Sequence, residues 1–259
     1  MSATAMALGL VAALFVAMVM LLEVGRRLAI RRPPGGDEGD KVGIAAVDGA
    51  VFGLMGLLLA FTFSGALTRW DTRHAHIREE LNAIGTAYMR LDLLPPAAQP
   101  ALKQAFRSYI DARLAVYSHL DNPDAPGHEQ TSLPSLQAQI WRDARAACGA
   151  AADRETTSLL VIPSLNDMFD AATTRDLYVT AHPPVAMYLA LGVVVLASSL
   201  LAGYGMVGTG RVDRVHMICY ALMVTLSVYV TLEIEFPRVG LVRIDAADQA
   251  YVEMREWMK

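Results

Sequence analysis

An uncharged run that passes directly into a charged segment constrains the fold of this chain more than any other feature. Residues 49–67 carry no charge, and residues 68–94 follow them without a proline. The first part has the length that a helix needs to cross a bilayer, about 20 residues. We therefore predict one helix over residues 48–94, roughly 70 Å long at the usual rise per residue. Its first half lies in the membrane.

The charged half of this helix carries apolar residues at alternating spacings of three and four. Such spacing is a heptad pattern, and it predicts a seam that packs against other helices outside the membrane. The seam consists of Leu67, Trp70, His74 in register, Ile77, Leu81, Ile84, Tyr88 and Leu91.

The membrane half carries a stripe of small residues, which lets another helix approach closely and predicts helix packing. The opposite side carries bulky Leu54, Leu57, Leu58 and Phe61, which suits a seam or an axis in a bundle. Tight packing alone is the favoured interpretation unless another feature indicates a pore. The stripe consists of Gly49, Gly53, Gly56, Ala60 and Ser64.

Three further windows have the length and composition of membrane spans, at about residues 3–22, 185–207 and 215–232. The chain is 54% hydrophobic, and its charge is concentrated outside the four windows, so we predict an integral membrane protein. No Lys or Arg precedes the first window, which is therefore a span and not a cleaved signal peptide. A net charge of -4 disfavours nucleic acid as a partner.

These windows predict an all-α fold in four parts. Residues 1–67 form a first transmembrane hairpin, with spans at about 3–22 and 43–67, and residues 183–235 form a second. Between them, residues 68–182 form a helical domain, with later helices at about 97–120, 135–154 and after Pro163. Residues 236–259 form a C-terminal tail with one amphipathic helix.

The sequence predicts neither an enzyme nor a cofactor or metal site. Gly203, Gly205 and Gly208 match a dinucleotide fingerprint, but they close a membrane helix that no strand precedes. His74 and His76 are two residues apart and lie on different sides of a helix, so they cannot chelate one ion. Isolated carboxylates are expected on solvated faces.

Two carboxylates, Glu233 and Glu235, lie at the C-terminal end of the fourth span. The helix dipole disfavours negative charge there by about 0.3–1 kcal/mol each. We predict that arginines compensate and clamp two spans together, with ion binding as the less favoured alternative. The candidate arginines are Arg238, Arg243, Arg69 and Arg73.

Three short pieces of the chain resemble bestrophin channels. Residues 59–73 resemble their second span, where a Phe and small hydroxyl residues precede an Arg, an aromatic residue and a polar residue. Residues 233–240 resemble the Glu-Ile-Glu run, with Pro and Gly after it, that follows their last span. Residues 182–188 resemble the Pro-rich start of their third span. Nearly the whole chain resembles the bacterial bestrophin-like family, long a domain of unknown function.

The resemblance implies a homopentamer in the lipid of the bacterial inner membrane, whose second spans line a pore for inorganic anions such as chloride. The apolar neck of that pore falls on Phe61, eight residues before Arg69, and on Leu57 one turn earlier. The third neck position falls on Gly53, where the family has a larger apolar side chain. Either the neck is wider there, or Gly53 packs against a neighbour and the pore lies elsewhere.

The resemblance places the helical domain in the cytoplasm, but the charges flanking the spans do not decide the topology. Seven basic residues lie in the short loops and seven lie on the opposite flanks. The first hairpin alone would put the helical domain outside. The main alternative to a channel is a non-conducting membrane scaffold or sensor whose helical domain docks a partner, and an intramembrane enzyme is least favoured.

Overall fold

The computed structural model describes residues 3–31, 38–121, 133–179, 181–206, 214–236 and 245–259. These residues form eight α-helices and one short 3-10 helix and contain no strand, which confirms the all-α prediction. The α-helices are α1 (Ala3–Ile30), α2 (Glu38–Arg90), α3 (Gln99–Asp121), α4 (Leu133–Gly149), α5 (Arg154–Val179), α6 (Val185–Gly205), α7 (Arg214–Glu235) and α8 (Asp245–Trp257).

Four of these helices, α1, α2, α6 and α7, are long and apolar enough to cross a membrane. Helix α2 starts ten residues before the predicted start, at Glu38, and it ends at Arg90. The 3-10 turn Leu91–Leu93 follows, and Leu94 is extended with ψ of 158°. The α region is disfavoured for a residue that precedes proline, so Pro95 accounts for the end of the helix.

The chain divides into two compact units. The membrane unit comprises Met1–Trp70 and His182–Val242, and the helical unit comprises Asp71–Ala181 and Arg243–Lys259. One division falls inside α2, so this helix contributes to both units. Helix α8, which we expected in a separate tail, belongs to the helical unit.

In the membrane unit, α1 and α6 approach backbone to backbone at two glycines. A Cβ atom added to Gly203 would overlap the Leu22 carbonyl group of α1. A Cβ atom added to Gly25 would overlap the Leu200 carbonyl oxygen of α6. Only glycine permits this approach at these two positions. Around it lies an apolar core of Met18, Leu22, Met55, Leu191, Val195, Met217, Ala221 and Val224.

In the helical unit, the heptad seam of α2 enters the core from Ile77 onward. Ile77, Leu81, Ile84 and Leu91 are buried, and Tyr88 packs against them. The first seam residue, Leu67, is exposed. The seam therefore acts as core only in the part of α2 that lies in the helical unit.

The predicted helix after Pro163 is wrong in its start, because α5 begins at Arg154 and Pro163 lies inside it. Proline has no backbone N–H, so the Leu159 carbonyl loses its usual helical donor. In the same turn, Arg90 donates a hydrogen bond of 2.7 Å from Nη1 to the Leu160 carbonyl oxygen. The helical segments on both sides of the proline are long, and α5 continues through it to Val179.

The helical unit also buries a charged cluster, which corrects the expectation that its isolated carboxylates are solvated. Glu80 of α2 is fully buried, and its Oε1 lies 2.7 Å from Nη2 of Arg113 in α3. Its Oε2 lies 3.0 Å from Nη1 of Arg175 in α5 and accepts a 2.6 Å hydrogen bond from the Tyr251 hydroxyl of α8. Four helices therefore meet at one carboxylate.

Burial also acts on Tyr109, which lies in α3 within the same core. Desolvation raises the pKa of its hydroxyl to about 12. The hydroxyl therefore stays protonated at neutral pH.

We expect Gly203→Ala to disrupt the packing of α1 against α6, because its Cβ would overlap the backbone of α1. Overpacking of this kind lowers the free energy of unfolding by about 1–3 kcal/mol or more. Thermal unfolding of the purified full chain in detergent measures the loss. The control is Gly192→Ala on the same helix, where an added Cβ meets nothing within 4 Å. Equal unfolding temperatures of the two variants would contradict the close approach.

We expect Glu80→Gln to destabilise the helical unit, because it leaves two buried guanidinium groups without their shared carboxylate. Removing one partner of a buried ion pair costs about 3–5 kcal/mol. The control is Asp111→Asn, which breaks an exposed ion pair of 2.7 Å with Arg255 between α3 and α8. Exposed pairs contribute little, so chemical denaturation should separate the two variants clearly. If Glu80→Gln lowers the free energy of unfolding as little as the control does, the buried cluster does not contribute to the stability of the helical unit as we expect.

Candidate functional site

One face of α2 in the membrane unit is exposed and carries the three predicted neck positions. Gly53, Leu57 and Phe61 follow one another at intervals of four residues, so they lie along one side of the helix. The exposed fractions of Phe61 and Leu57 are 62% and 50%. A Cβ atom added to Gly53 meets nothing within 4 Å. Two large apolar side chains and an open glycine therefore lie on a side of α2 that the described part of the chain leaves largely uncovered.

The other face of α2 is fixed against its own chain. Met55, Thr62 and Ala66 are buried. The Met55 sulfur accepts hydrogen bonds of 2.9 Å from the Ser198 hydroxyl of α6 and 3.6 Å from the Tyr220 hydroxyl of α7. These contacts lie on the side of α2 opposite Leu57 and Phe61, which face away from the described part of the chain.

The predicted stripe of small residues is also exposed. Cβ atoms added to Gly49 and Gly56 meet nothing within 4 Å, and Ala60 and Ser64 are exposed. Within the described part of one chain, the stripe does not receive another helix. The close approach that the structure shows lies instead at Gly25 and Gly203. The packing of the stripe against another helix stays a prediction, and that helix belongs to another molecule.

The membrane unit contains a strong ion pair at the C-terminal end of α7. Arg69 of α2 donates from Nε to both carboxylate oxygens of Glu235, at 3.1 and 2.8 Å, and its Nη2 lies 2.7 Å from Oε2. The Glu235 side chain is 1% exposed and the Arg69 side chain is 30% exposed. The pair links two membrane spans and places a cation beside the unfavourable end of the α7 dipole.

His182 also contacts Glu235, and sequence reasoning did not select it as a site residue. Its Nδ1 lies 3.4 Å from Oε1 of Glu235, and its ring lies 4.9 Å from the ring of Phe236. The sequence feature that could have indicated His182 is its position directly before Pro183 and Pro184, which restrict the backbone at the start of α6.

Two other predicted members of the charge clamp are buried. Arg73 donates from Nη2 to the Ala181 carbonyl oxygen at 3.3 Å, within the helical unit. Glu233 is buried in α7, and the pairing of these two residues within the clamp stays a prediction. The candidates Arg238 and Arg243 lie outside the described residues. The ion pair of the clamp that the described contacts include is Arg69 with Glu235.

No metal site is evident in the described residues, where no three His, Cys, Asp or Glu side chains are grouped as ligands. The geometry therefore consists of an exposed apolar face on α2 and, two turns further along the same helix, an ion pair that ties it to α7. Such an arrangement can hold an apolar surface in a fixed orientation.

We expect Glu235→Gln to loosen the contact between α2 and α7, because a charged hydrogen bond to a buried carboxylate is worth about 1.5–3 kcal/mol. The loss is measured as a lower unfolding temperature of the purified chain. Glu23→Gln serves as the control, since Glu23 pairs with Arg26 and Arg27 inside α1 and joins no two helices. An unfolding temperature as high as that of the control would show that the pair does not hold the two spans.

Comparisons with known proteins identify the family and the fold of this chain. A model of the Bestrophin-like domain matches residues 13–248. Two crystal structures of variants of a bacterial bestrophin homologue from Klebsiella pneumoniae are similar, each with TM-score 0.66 and 14% identity over 95% of this chain and 99% of the homologue. A crystal structure described as a membrane protein has TM-score 0.68 and 13% identity over 95% of this chain and 98% of its own. Proteins of curated function gave no match. The chain has the bestrophin fold and belongs to the Bestrophin-like family.

Proposed function

We propose that this chain assembles into a homopentamer that conducts inorganic anions such as chloride through a pore lined by α2. The observation that carries the proposal is the division of α2 into a packed face and an exposed face. Phe61 and Leu57 are large apolar side chains on the exposed face, where a central pore would receive them. Membership of the family supports a channel, and the similarity to solved bestrophin homologues supports the fold.

The neck consists of Phe61, Leu57 and Gly53. A ring of apolar side chains closes a pore by expelling water from it, while dipoles and charges around the ring set selectivity. Gly53 contributes no side chain, so the constriction lies at Phe61 and Leu57. The small residues Ala60 and Ser64 on adjoining positions let neighbouring copies of α2 approach closely.

The protein is placed in the bacterial inner membrane, with the helical unit in the cytoplasm. This placement rests on the likeness to the family, because the basic residues that flank the spans are evenly divided. Accessibility of an introduced cysteine in the helical unit to an impermeant reagent, in cells and in inverted vesicles, tests the orientation.

A non-conducting scaffold is the second candidate, and exposed apolar side chains on the helical unit favour it. Met89, Leu159 and Leu177 are more than half exposed, and a contiguous apolar patch among such residues would suit a docking partner. Under this alternative, Leu57 and Phe61 lie in a dry interface between helices. Substitution at Phe61 would then weaken assembly without creating a leak.

Chloride flux from liposomes reconstituted with the full chain separates the two candidates. We expect Phe61→Ala to conduct several-fold faster than the native chain, because removal of the ring lowers the cost of wetting the neck. The control is Leu222→Ala on α7, a position of similar exposure, 56%, outside the neck. Its flux should equal that of the native chain.

Two outcomes would overturn the channel. One is the absence of flux above empty liposomes for both the native chain and Phe61→Ala, with correct insertion verified. The other is a monomeric or dimeric particle in detergent, measured by light scattering, because a central pore needs a closed ring of subunits. Loss of assembly in Phe61→Ala, without flux, would support the scaffold.

A further inference from the structure

An apolar cavity of about 460 Å³ lies in the membrane unit between α1, α6 and α7. Its walls include Leu14 of α1, Val195 of α6 and Val228 of α7. Among the described residues, none that lines it belongs to α2. The cavity is therefore separate from the exposed face assigned to the pore, and its volume lies in the range of ligand sites.

The walls select a hydrocarbon occupant. Of the side chains that line the cavity, only His182 and Tyr188 carry polar atoms, and none is from Asp, Glu, Lys or Arg. A buried water needs two to four polar partners, and an ion needs paired charge, so neither suits most of this space. A hydrocarbon chain gives up no hydrogen bonds when it enters an apolar cavity of this kind.

The length of the cavity fits one leaflet of a bilayer. Along α6 its lining residues extend from Val185 to Val195, which is about 15 Å of helix. Half of the hydrocarbon core of a bilayer is also about 15 Å. Gly192 lies in this wall, and a Cβ atom added there meets nothing within 4 Å. The cavity therefore has open space beside Gly192.

The polar end of the cavity complements a phosphate group. The His182 side chain at this end is 42% exposed, and it contacts Glu235, which is hidden behind it at 1% exposure. Arg69, bound to the same carboxylate, does not line the cavity. The carboxylate is thus concealed, and the polar groups of the lining are the His182 ring and the Tyr188 hydroxyl. A phosphodiester accepts hydrogen bonds from a hydroxyl and from an imidazolium whose Nδ1 is bound to Glu235.

We propose that this cavity holds one acyl chain of a membrane phospholipid, with the phosphate of that lipid at the His182 end. The lipid fills the space between α1, α6 and α7. A ligand that binds only the folded chain stabilises it by mass action, so this lipid contributes to the stability of the membrane unit.

Photo-crosslinking tests the site directly. The full chain is reconstituted in phosphatidylglycerol and phosphatidylethanolamine vesicles that contain a trace of phosphatidylcholine with a diazirine in the middle of one acyl chain. Labelled residues are mapped by mass spectrometry. We expect Leu14 and Val228, which line the cavity and are partly exposed, to be labelled more strongly than Met223, which is exposed on α7 and does not line the cavity. Equal labelling of all three residues would overturn the proposal, because that result is expected when lipid surrounds the protein and occupies no specific site.

A matched pair of variants strengthens the test. Gly192→Leu fills the cavity and should lose most of the labelling at Leu14 and Val228. Gly9→Leu makes the same change at an exposed glycine of α1 that does not line the cavity, and it should keep the native pattern. Should Gly192→Leu fail to fold, Val228→Phe narrows the cavity from α7 instead. Native labelling in a folded cavity-filling variant would overturn the site.

The head group is tested with diacylglycerol that carries the same diazirine chain but no phosphate. We expect weaker labelling of the cavity by this probe than by the phospholipid. Equal labelling would overturn the assignment of the phosphate to the His182 end. These readouts do not require conduction, so they are independent of the proposed channel.

Discussion

Helix α2 is fixed on one side by contacts that leave its other side exposed. Ser198 and Tyr220 donate hydrogen bonds to the Met55 sulfur, and Thr62 and Ala66 are buried on the same side. With these contacts made, Phe61 lies on the opposite side of the helix and is exposed. The proposed neck therefore depends on packing that involves none of the neck residues.

Each unit contains a carboxylate that is nearly inaccessible and paired with arginine. In the membrane unit, Glu235 joins α7 to α2 through Arg69, and in the helical unit Glu80 joins α2 to helices that carry Arg113 and Arg175. Burying such charges costs free energy that hydrophobic residues of similar size would avoid. Their arrangement instead fixes which helices meet and in which register.

Helices α1 and α6 are in close contact at two glycines and line an open cavity farther along. At Gly25 and Gly203 their backbones are as near as glycine allows. Farther along, Leu14 and Val195 line the cavity that we assign to a lipid chain. Small residues bring helices together, while bulky side chains elsewhere hold them apart, and a hydrocarbon solvent can fill the remaining space.

Local patterns of hydropathy and the position of Pro95 were enough to predict a helical chain with four candidate spans and an α2 that stops before this proline, because they act on neighbouring residues. The short motifs also indicated the family. Other features became visible only in the folded chain: Gly203 packs against α1 while the stripe on α2 stays open, and Arg69 pairs with Glu235. The folded chain also buries Glu80, although its charge suggested a solvated face. These outcomes depend on contacts between residues far apart in the chain, and the local pattern of polarity does not specify which helices supply the partners.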